Sequence, residues 1–225
     1  MIKVTYMEHM GSDLSVVNAA RVSFNNWSNS FDMSKERNIK LIKYLAKHKH
    51  MSPFGHCFAK FHVRAPIFVA RQLVKHKFLR WNEMSRRYVD TTPNWYRPDM
   101  NDENTALWRK QTKDKKQGSG GVLESETEQS LANFELNHVI AEAMQAYQRL
   151  LEMGVCEEQA RMVLPQSTMT EWYWSGSLDA FTDMCHLRLK ADTQYETQVV
   201  ATKIAEHLED IYPVSWQALM EGNKK

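Results

Sequence analysis

The sequence has 225 residues, 43% apolar and 25% charged, with a formal net charge of +2, the composition of an ordinary soluble globule of one domain. So small a net charge gives no argument for bulk nucleic-acid binding, and any basic site must be local. No apolar run is long enough to span a bilayer, the N-terminus reads as a strand rather than a signal peptide, and Cys57, Cys156 and Cys185 show no paired framework, which points to a reducing cytoplasm.

Ile2, Val4 and Tyr6 alternate with Lys3 and Thr5, which predicts a half-buried strand. A short helix follows over Asp13–Val22, then a polar loop around Asn25–Asn29. Ser34 is a candidate N-cap for a helix through His48, with Ile39, Ile42, Leu45 and Ala46 as its apolar face. His48, His50, His56 and His62 lie close in sequence. No Cys or carboxylate set completes a first metal shell around them, so no metal site is expected and they read as structural or cofactor-contacting histidines. From Cys57 to Ala65 the chain alternates again. Cys57, Ala59, Phe61, Val63 and Ala65 share the core face of a strand, and Pro66 suits the first turn of a following helix.

That helix leads into residues 71–88, which pack six cationic side chains, one histidine and one carboxylate into eighteen positions. A Lys/Arg-rich run is usually a solvated face or a nucleic-acid patch. Here the cations are interleaved with Gln72, Asn82, Glu83, Ser85 and Tyr88, donors and acceptors that read the edges of a base or sugar. Glu83 would repel a phosphate.

Pro93, Pro98, the lysines Lys110, Lys113, Lys115 and Lys116, and Gly118-Ser119-Gly120-Gly121 make about 91–130 an exposed, mobile excursion from a single domain spanning 1–225. Asn133–Met153 is an amphipathic helix with Gly154 at its C′ position. Glu157–Leu164 reads as helical up to Pro165 and Thr168–Trp174 as a strand. Ser177 is expected to cap a helix to about Lys190, with Asp179 in its first turn. Thr193–Ile211 is the last amphipathic helix, ended by Pro213. Few strands and long helices without regular alternation predict an α+β fold, an antiparallel sheet packed with long helices.

The run Lys75-His76-Lys77, then Arg80, Asn82-Glu83, Ser85 and Arg87-Tyr88, resembles the signature R-H-R-x-x-S-x-N-E-x-S-x-R-Y of the flavin-dependent thymidylate synthases (the ThyX family). Six of its nine specified positions are identical and two more keep their charge; Arg80 stands where the family shows Ser. Ser52-Pro53-Phe54 with His56 is similar to the S/T-P-F-E-H segment, Gly55 replacing Glu. Ala160–Pro165 matches A-R-x-x-L-P. Leu187-Arg188 with Gln194 and Glu196 echoes L-R-x-x-x-x-A-Q-x-E, with Thr193 in place of Ala.

The resemblance implies a ThyX-like fold and an enzyme making dTMP from dUMP. The methylene would come from 5,10-methylenetetrahydrofolate and the reducing equivalents from NADPH through bound FAD, in a homotetramer with sites between subunits. It places Ser52, Lys75, His76 and Lys77 against the flavin dinucleotide. Ser177, Asp179 and Asp183 contact its other end, where Asn, Arg and Asn or His are commoner. Gln72, Glu83, Met84, Ser85, Arg86 and Arg87 would cradle dUMP, with Arg161 from another chain. Arg188 would face the uracil edge and carry the catalysis. Arg80 and the two acids leave an alternative open: a nucleotide- or RNA-binding protein without catalysis, using Trp81, Trp95 and Tyr96 as a stacking platform.

Overall fold

The structure, a computed structural model, describes residues 1–23, 36–85, 93–98, 107–112 and 118–221. Four antiparallel strands, β1 (Lys3–Met10), β2 (Phe58–Pro66), β3 (Arg80–Glu83) and β4 (Met169–Ser177), form a sheet in the order β1-β2-β4-β3. The α+β expectation is met. In β2, Ala59, Phe61, Val63 and Ala65 are all buried, as the alternation requires, and they pack with Trp172 and Trp174 of β4 in the core. Full burial of each such large side chain contributes about 1.5–3 kcal/mol. Slipping β2 by one residue would turn Phe61 and Val63 outward, so the core fixes the register. The opposite face carries Lys60, His62 and Arg64. Glu171 opposite Arg64 binds His62 Nε2 at 3.0 Å and Arg64 Nε at 3.2 Å.

Sequence pattern did not reveal β3. It is four residues long and three of them are exposed. Its place is set from outside: Trp81 lies directly opposite Trp174 and stacks on Trp172 with ring centroids 4.3 Å apart.

Helix α1 (Asp13–Val22) falls where expected. Helix α2 (Glu36–Lys47) buries Ile42, Leu45 and Ala46; its proposed cap Ser34 and the loop at Asn25–Asn29 lie outside the described residues. Pro66 ends β2 and stands at the N-cap of α3 (Ile67–Leu73), one place earlier than expected. Helix α4 (Glu126–Glu152) begins well before Asn133. Ser125 accepts from Glu128 N at 3.2 Å, and Glu126 and Glu128 suit the positive end of the helix dipole. It ends as expected at Gly154, whose φ of +81° is a left-handed conformation that costs glycine little.

The expected helix before Pro165 is split into α5 (Glu157–Ala160) and a 3-10 turn, Arg161–Val163. Strand β4 runs on to Ser177, and α6 (Leu178–Arg188) follows directly. Helix α7 (Tyr195–Ile211) stops before Pro213, but Pro213 opens a further helix, α8 (Pro213–Glu221). The buried Asp13 carboxylate caps α8, accepting from Val214 N at 3.0 Å and Ser215 N at 2.8 Å.

Within the stretch 91–130, Lys113, Lys115 and Lys116 lie outside the described residues, and Glu126–Ser130 belong to α4. Pro93, Tyr96 and Pro98 are buried. Tyr96 N donates to Ser167 O at 2.8 Å, Trp108 Nε1 donates to Asn133 on α4 at 2.6 Å, and the Arg109 guanidinium lies 4.8 Å from the centre of the Tyr195 ring. Among the described residues no helix is long and apolar enough to cross a membrane.

Candidate functional site

Helix α3 separates two clefts. Ile67, Ala70, Arg71 and Val74 recur at the i, i+3, i+4, i+7 spacing of one helix face, and that face lines a cleft of about 440 Å³. Glu83, Met84, Ser85, Arg161, Leu164 and Thr170 complete its walls. The Glu83 carboxylate is held on both oxygens: Oε1 accepts from Thr170 Oγ1 at 2.8 Å and Oε2 from Trp81 Nε1 at 3.2 Å. Met84 N donates to Glu171 O at 2.8 Å, which pins the backbone beyond β3 to β4. Arg161, which the resemblance assigns to the nucleotide of another chain, lines this cleft of its own chain and donates from Nε to Glu158 O at 3.2 Å.

Gln72 lies about 140° around α3 from Ile67 and reaches the other side. There a second cleft of about 440 Å³ is lined by Gln72, Arg188, Lys190, Asp192, Thr193 and Gln194, among others. Arg188, the last residue of α6, is fixed at two points. Its Nε donates to His76 Nε2 at 2.9 Å and its Nη2 to the Gln72 carbonyl at 3.0 Å. The Gln72 amide is also held: it donates to Gln194 Oε1 at 2.5 Å and accepts from Thr197 Oγ1 at 3.3 Å. Burial first, and the neighbouring Arg188 charge second, push the His76 pKa down to about 4. Burial also lowers that of Arg188.

Beyond α3 the chain turns tightly into β3. Lys75 and Lys77 are exposed on this turn, and Phe78 is left-handed at φ +66° and 78% exposed. The turn crosses β4 at Gly176, where a Cβ would come within 2.4 Å of Leu79 Cδ2 and 3.1 Å of Phe78 O, so a side chain there would displace the turn. The next residue, Ser177, stands at the N-cap of α6 as expected but makes no side-chain capping bond. In the following turns, Asp179 Oδ1 is buried without a hydrogen-bond partner among the described residues, and 4.0 Å from it is the point where Gly55 would carry a Cβ. Burial, and then the Asp179 charge, raise the Asp183 pKa. Ser52 is exposed just before the 3-10 turn that holds Gly55.

The structure thus brings together Glu83, Met84, Ser85 and Arg161 in one cleft, and Gln72, His76 and Arg188 at the other. Arg86 and Arg87 lie outside the described residues. Arg71 and Thr170 were missed. Arg71 sat unassigned in the cationic run, and the signal for Thr170 was a hydroxyl on a strand otherwise rich in tryptophan. Among the described residues no group of three or more His, Cys, Asp or Glu side chains could hold a metal ion. His62 pairs with Glu171, and the His48 and His50 rings lie 4.3 and 6.1 Å from that of Tyr44.

Comparison with known proteins fits this geometry. Residues 5–214 match the family model described as thymidylate synthase complementing protein. The chain is 38% identical over 218 residues to the flavin-dependent thymidylate synthase of Kosmotoga olearia, covering 96% of this chain and 89% of that one. It is 39% identical over 218 residues to that of Thermus thermophilus, covering 97% and 75%. The chain belongs to the flavin-dependent thymidylate synthase family. Among solved structures it is similar to the UMP/dUMP methylase PolB of Streptomyces cacaoi bound with 5-Br UMP, with a TM-score of 0.84 and 30% identity over 99% of this chain and 95% of that one. The same methylase bound with 5-Br dUMP gives a TM-score of 0.81 at 31% identity over 98% and 95%.

Membership of this family sets aside the reading as a non-catalytic nucleotide- or RNA-binding protein, and two of the three rings that reading needed are engaged within the fold. Trp81 is stacked on Trp172, and Tyr96 is 3% exposed with its hydroxyl on Glu196.

Proposed function

We propose that this flavin-dependent thymidylate synthase family enzyme converts dUMP to dTMP by reductive methylation, with 5,10-methylenetetrahydrofolate as methylene donor, NADPH as reductant and FAD as cofactor. The observation that carries this reading is the anchored guanidinium of Arg188, an invariably charged planar fork at the wall of a cleft. Methylation at C5 of uracil needs negative charge to develop on the ring. A fixed guanidinium against the N3–C4=O edge stabilises that charge without reorganising.

Arg161 and Arg71 in the other cleft suit the nucleotide phosphate, and the Glu83 carboxylate, fixed by a bond on each oxygen, suits a sugar hydroxyl or a base N–H. Because Glu83–Ser85 and Arg188 lie on opposite sides of α3, one nucleotide would draw on two chains. This supports sites between subunits, as in the homotetramer that the family resemblance implies, with Arg86 and Arg87 proposed as further dUMP contacts.

The donors around α6 fit a flavin dinucleotide. Exposed Lys75 and Lys77 would hold its diphosphate, with Ser52 nearby. Ser177, its hydroxyl not used for capping, and Asp179, with an acceptor lacking a donor, would take its hydroxyls; Asp183 lies one turn beyond. When bound, the flavin supplies the two-electron chemistry. Neither buried cysteine is suited to be a nucleophile. Burial pushes the Cys57 thiol up to about 12, with the Asp13 charge adding to it, and raises that of Cys185, so both stay protonated and unreactive. Free cysteines also support a cytoplasmic setting.

The test is tritium release from C5-labelled dUMP with and without FAD, with labelled UMP run in parallel because the PolB methylase is described as acting on both. Release that depends on FAD and on the folate is expected. No release under any condition would refute the proposal.

A further inference from the structure

We propose that the paired segments 107–112 and 118–123 form a wall of the Arg188 cleft, with Gly118 setting its width and Arg109 as a positioning residue that holds it there. This gives a role in nucleotide binding to a stretch to which the family resemblance assigns none. It rests on the reading of Arg188 as the uracil contact.

The two segments pair antiparallel at Arg109 and Val122. Lys110 N donates to Gly121 O and Gly120 N to Lys110 O, each at 2.9 Å, and Leu123 N donates to Trp108 O at 2.8 Å. One side of the pair is tied to α4, where Gln129 Nε2 donates to Leu123 O at 2.7 Å and Gln129 Oε1 accepts from Trp108 N at 2.9 Å. The other side reaches the turn between α6 and α7. There Gly118 lines the Arg188 cleft together with Asp192.

The fit at Gly118 leaves no room for a side chain. A Cβ there would lie 3.0 Å from both Cα and O of Asp192. The turn is braced against yielding. Thr193 N donates to Lys190 O at 3.0 Å, Thr193 Oγ1 to Leu187 O at 3.1 Å and Gln198 Nε2 to Lys190 O at 2.5 Å. A methyl at 118 would therefore lift the paired segments off the turn and widen the cleft.

Arg109 keeps them seated. Its Nε donates to Ser119 Oγ at 2.5 Å, beside Gly118, and its guanidinium lies 4.8 Å from the centre of the Tyr195 ring, a cation–π contact with the first residue of α7. Tyr195 follows Gln194, which accepts from the Gln72 amide. One side chain thus joins the neighbour of Gly118 to the neighbour of a residue that lines the same cleft.

Two glycines make the test. Gly121 also has a left-handed φ, +86° against +83° at Gly118, but nothing lies within 4 Å of the Cβ it would gain. Gly121→Ala therefore carries the backbone strain of Gly118→Ala without the collision. Turnover of the FAD-saturated enzyme is measured against dUMP concentration, with folate and NADPH saturating. Calorimetric titration gives the dUMP dissociation constant. The variants are Gly118→Ala, Gly121→Ala, Arg109→Ala, Arg109→Lys and Arg188→Ala.

Gly118→Ala should raise the KM and the dissociation constant for dUMP about tenfold, as a misfitting methyl at a packed contact does. Its kcat should stay within about twofold, because the anchors of Arg188 are His76 and Gln72, outside the paired segments. Gly121→Ala should bind dUMP as wild type does, although both variants lower the thermal midpoint by about 2–4 °C. Arg109→Ala should raise KM a few-fold, and Arg109→Lys should recover part of that, since an ammonium can still sit over Tyr195.

Equal weakening in both glycine variants, unchanged KM in Gly118→Ala, or a fall in kcat alone would each overturn the wall while leaving the functional reading intact. A wild-type holoprotein that does not bind dUMP, or whose dUMP affinity is unchanged in Arg188→Ala, would sink the reading of Arg188 and this inference with it.

Discussion

The two ends of α6 make opposite use of the same rule. A helix favours anions at its N-terminus and cations at its C-terminus, and this one has Asp179 in its first turn and His186 and Arg188 in its last. At the C-terminal end the residue that suits the helix also suits the ligand: Arg188 complements the dipole, is held by His76 and Gln72, and faces a cleft. At the N-terminal end the two demands conflict. Asp179 suits the helix but has an oxygen without a partner, and it helps raise the pKa of Asp183. Helix chemistry alone therefore cannot say which end binds an anion; the hydrogen-bond partners of each side chain decide it.

The largest expected effect is at the C-terminal end. Arg188→Ala should lower dTMP formation by about 10²–10³-fold or more, as loss of a preorganised charge-stabilising donor does. The protein should still be yellow with FAD. Turnover near the wild-type level would remove Arg188 from the mechanism.

At the approach to the other end, Gly176→Ala should destabilise the fold by about 1–3 kcal/mol, since the new methyl meets Leu79 Cδ2 at 2.4 Å and Phe78 O at 3.1 Å. Because these residues shape the turn carrying Lys75 and Lys77, FAD affinity should fall along with the thermal midpoint. An unchanged midpoint would mean that the turn moves aside freely.

Asp179→Asn with Asp183→Asn keeps an acceptor oxygen at each position while removing the charge, and should tighten FAD by about tenfold at neutral pH, roughly 1.4 kcal/mol of relieved repulsion. The pH dependence gives the same contrast. Asp183 has a raised pKa, so its charged form is disfavoured in the fold and it takes up a proton at a higher pH than an ordinary aspartate. Falling pH should therefore tighten FAD in the wild type as Asp183 loses its charge, and should do so less in the double variant. For His76 the sign is opposite. Its folded pKa, about 4, lies below the ordinary 6.5, so as pH falls from 6.5 the unfolded chain takes up a proton that the folded one does not. Stability falls over that window, and the loss should be absent in His76→Gln.

The smallest effect expected is from Lys75→Arg with Lys77→Arg. A planar fork should grip a diphosphate more firmly than an ammonium, tightening FAD a few-fold. Equal dissociation constants would show that these two positions act only as point charges.

Legibility from sequence followed the range of the interactions. Strand β2 was readable because Ala59, Phe61, Val63 and Ala65 alternate with Lys60, His62 and Arg64 within one short segment. Helix α1 and the Gly154 stop were local in the same way. Strand β3 was missed because Trp81 owes its place to Trp172 and Trp174, far along the chain. Helix α8 was missed because Pro213 was read only as a stop, although proline also suits a first helical turn, and because its cap, Asp13, lies near the other end of the sequence. The site was legible as a motif, since Asn82, Glu83 and Ser85 keep a fixed spacing. The bond from Arg188 to His76 spans 112 positions and leaves no local trace.

The most direct measurement is a crystal structure of the FAD-loaded protein soaked with dUMP. Arg188 Nη1 should lie within about 3 Å of the uracil N3–C4=O edge, with Nε still on His76. A uracil ring seated away from Arg188, or a guanidinium turned toward bulk water in the occupied site, would contradict the mechanism.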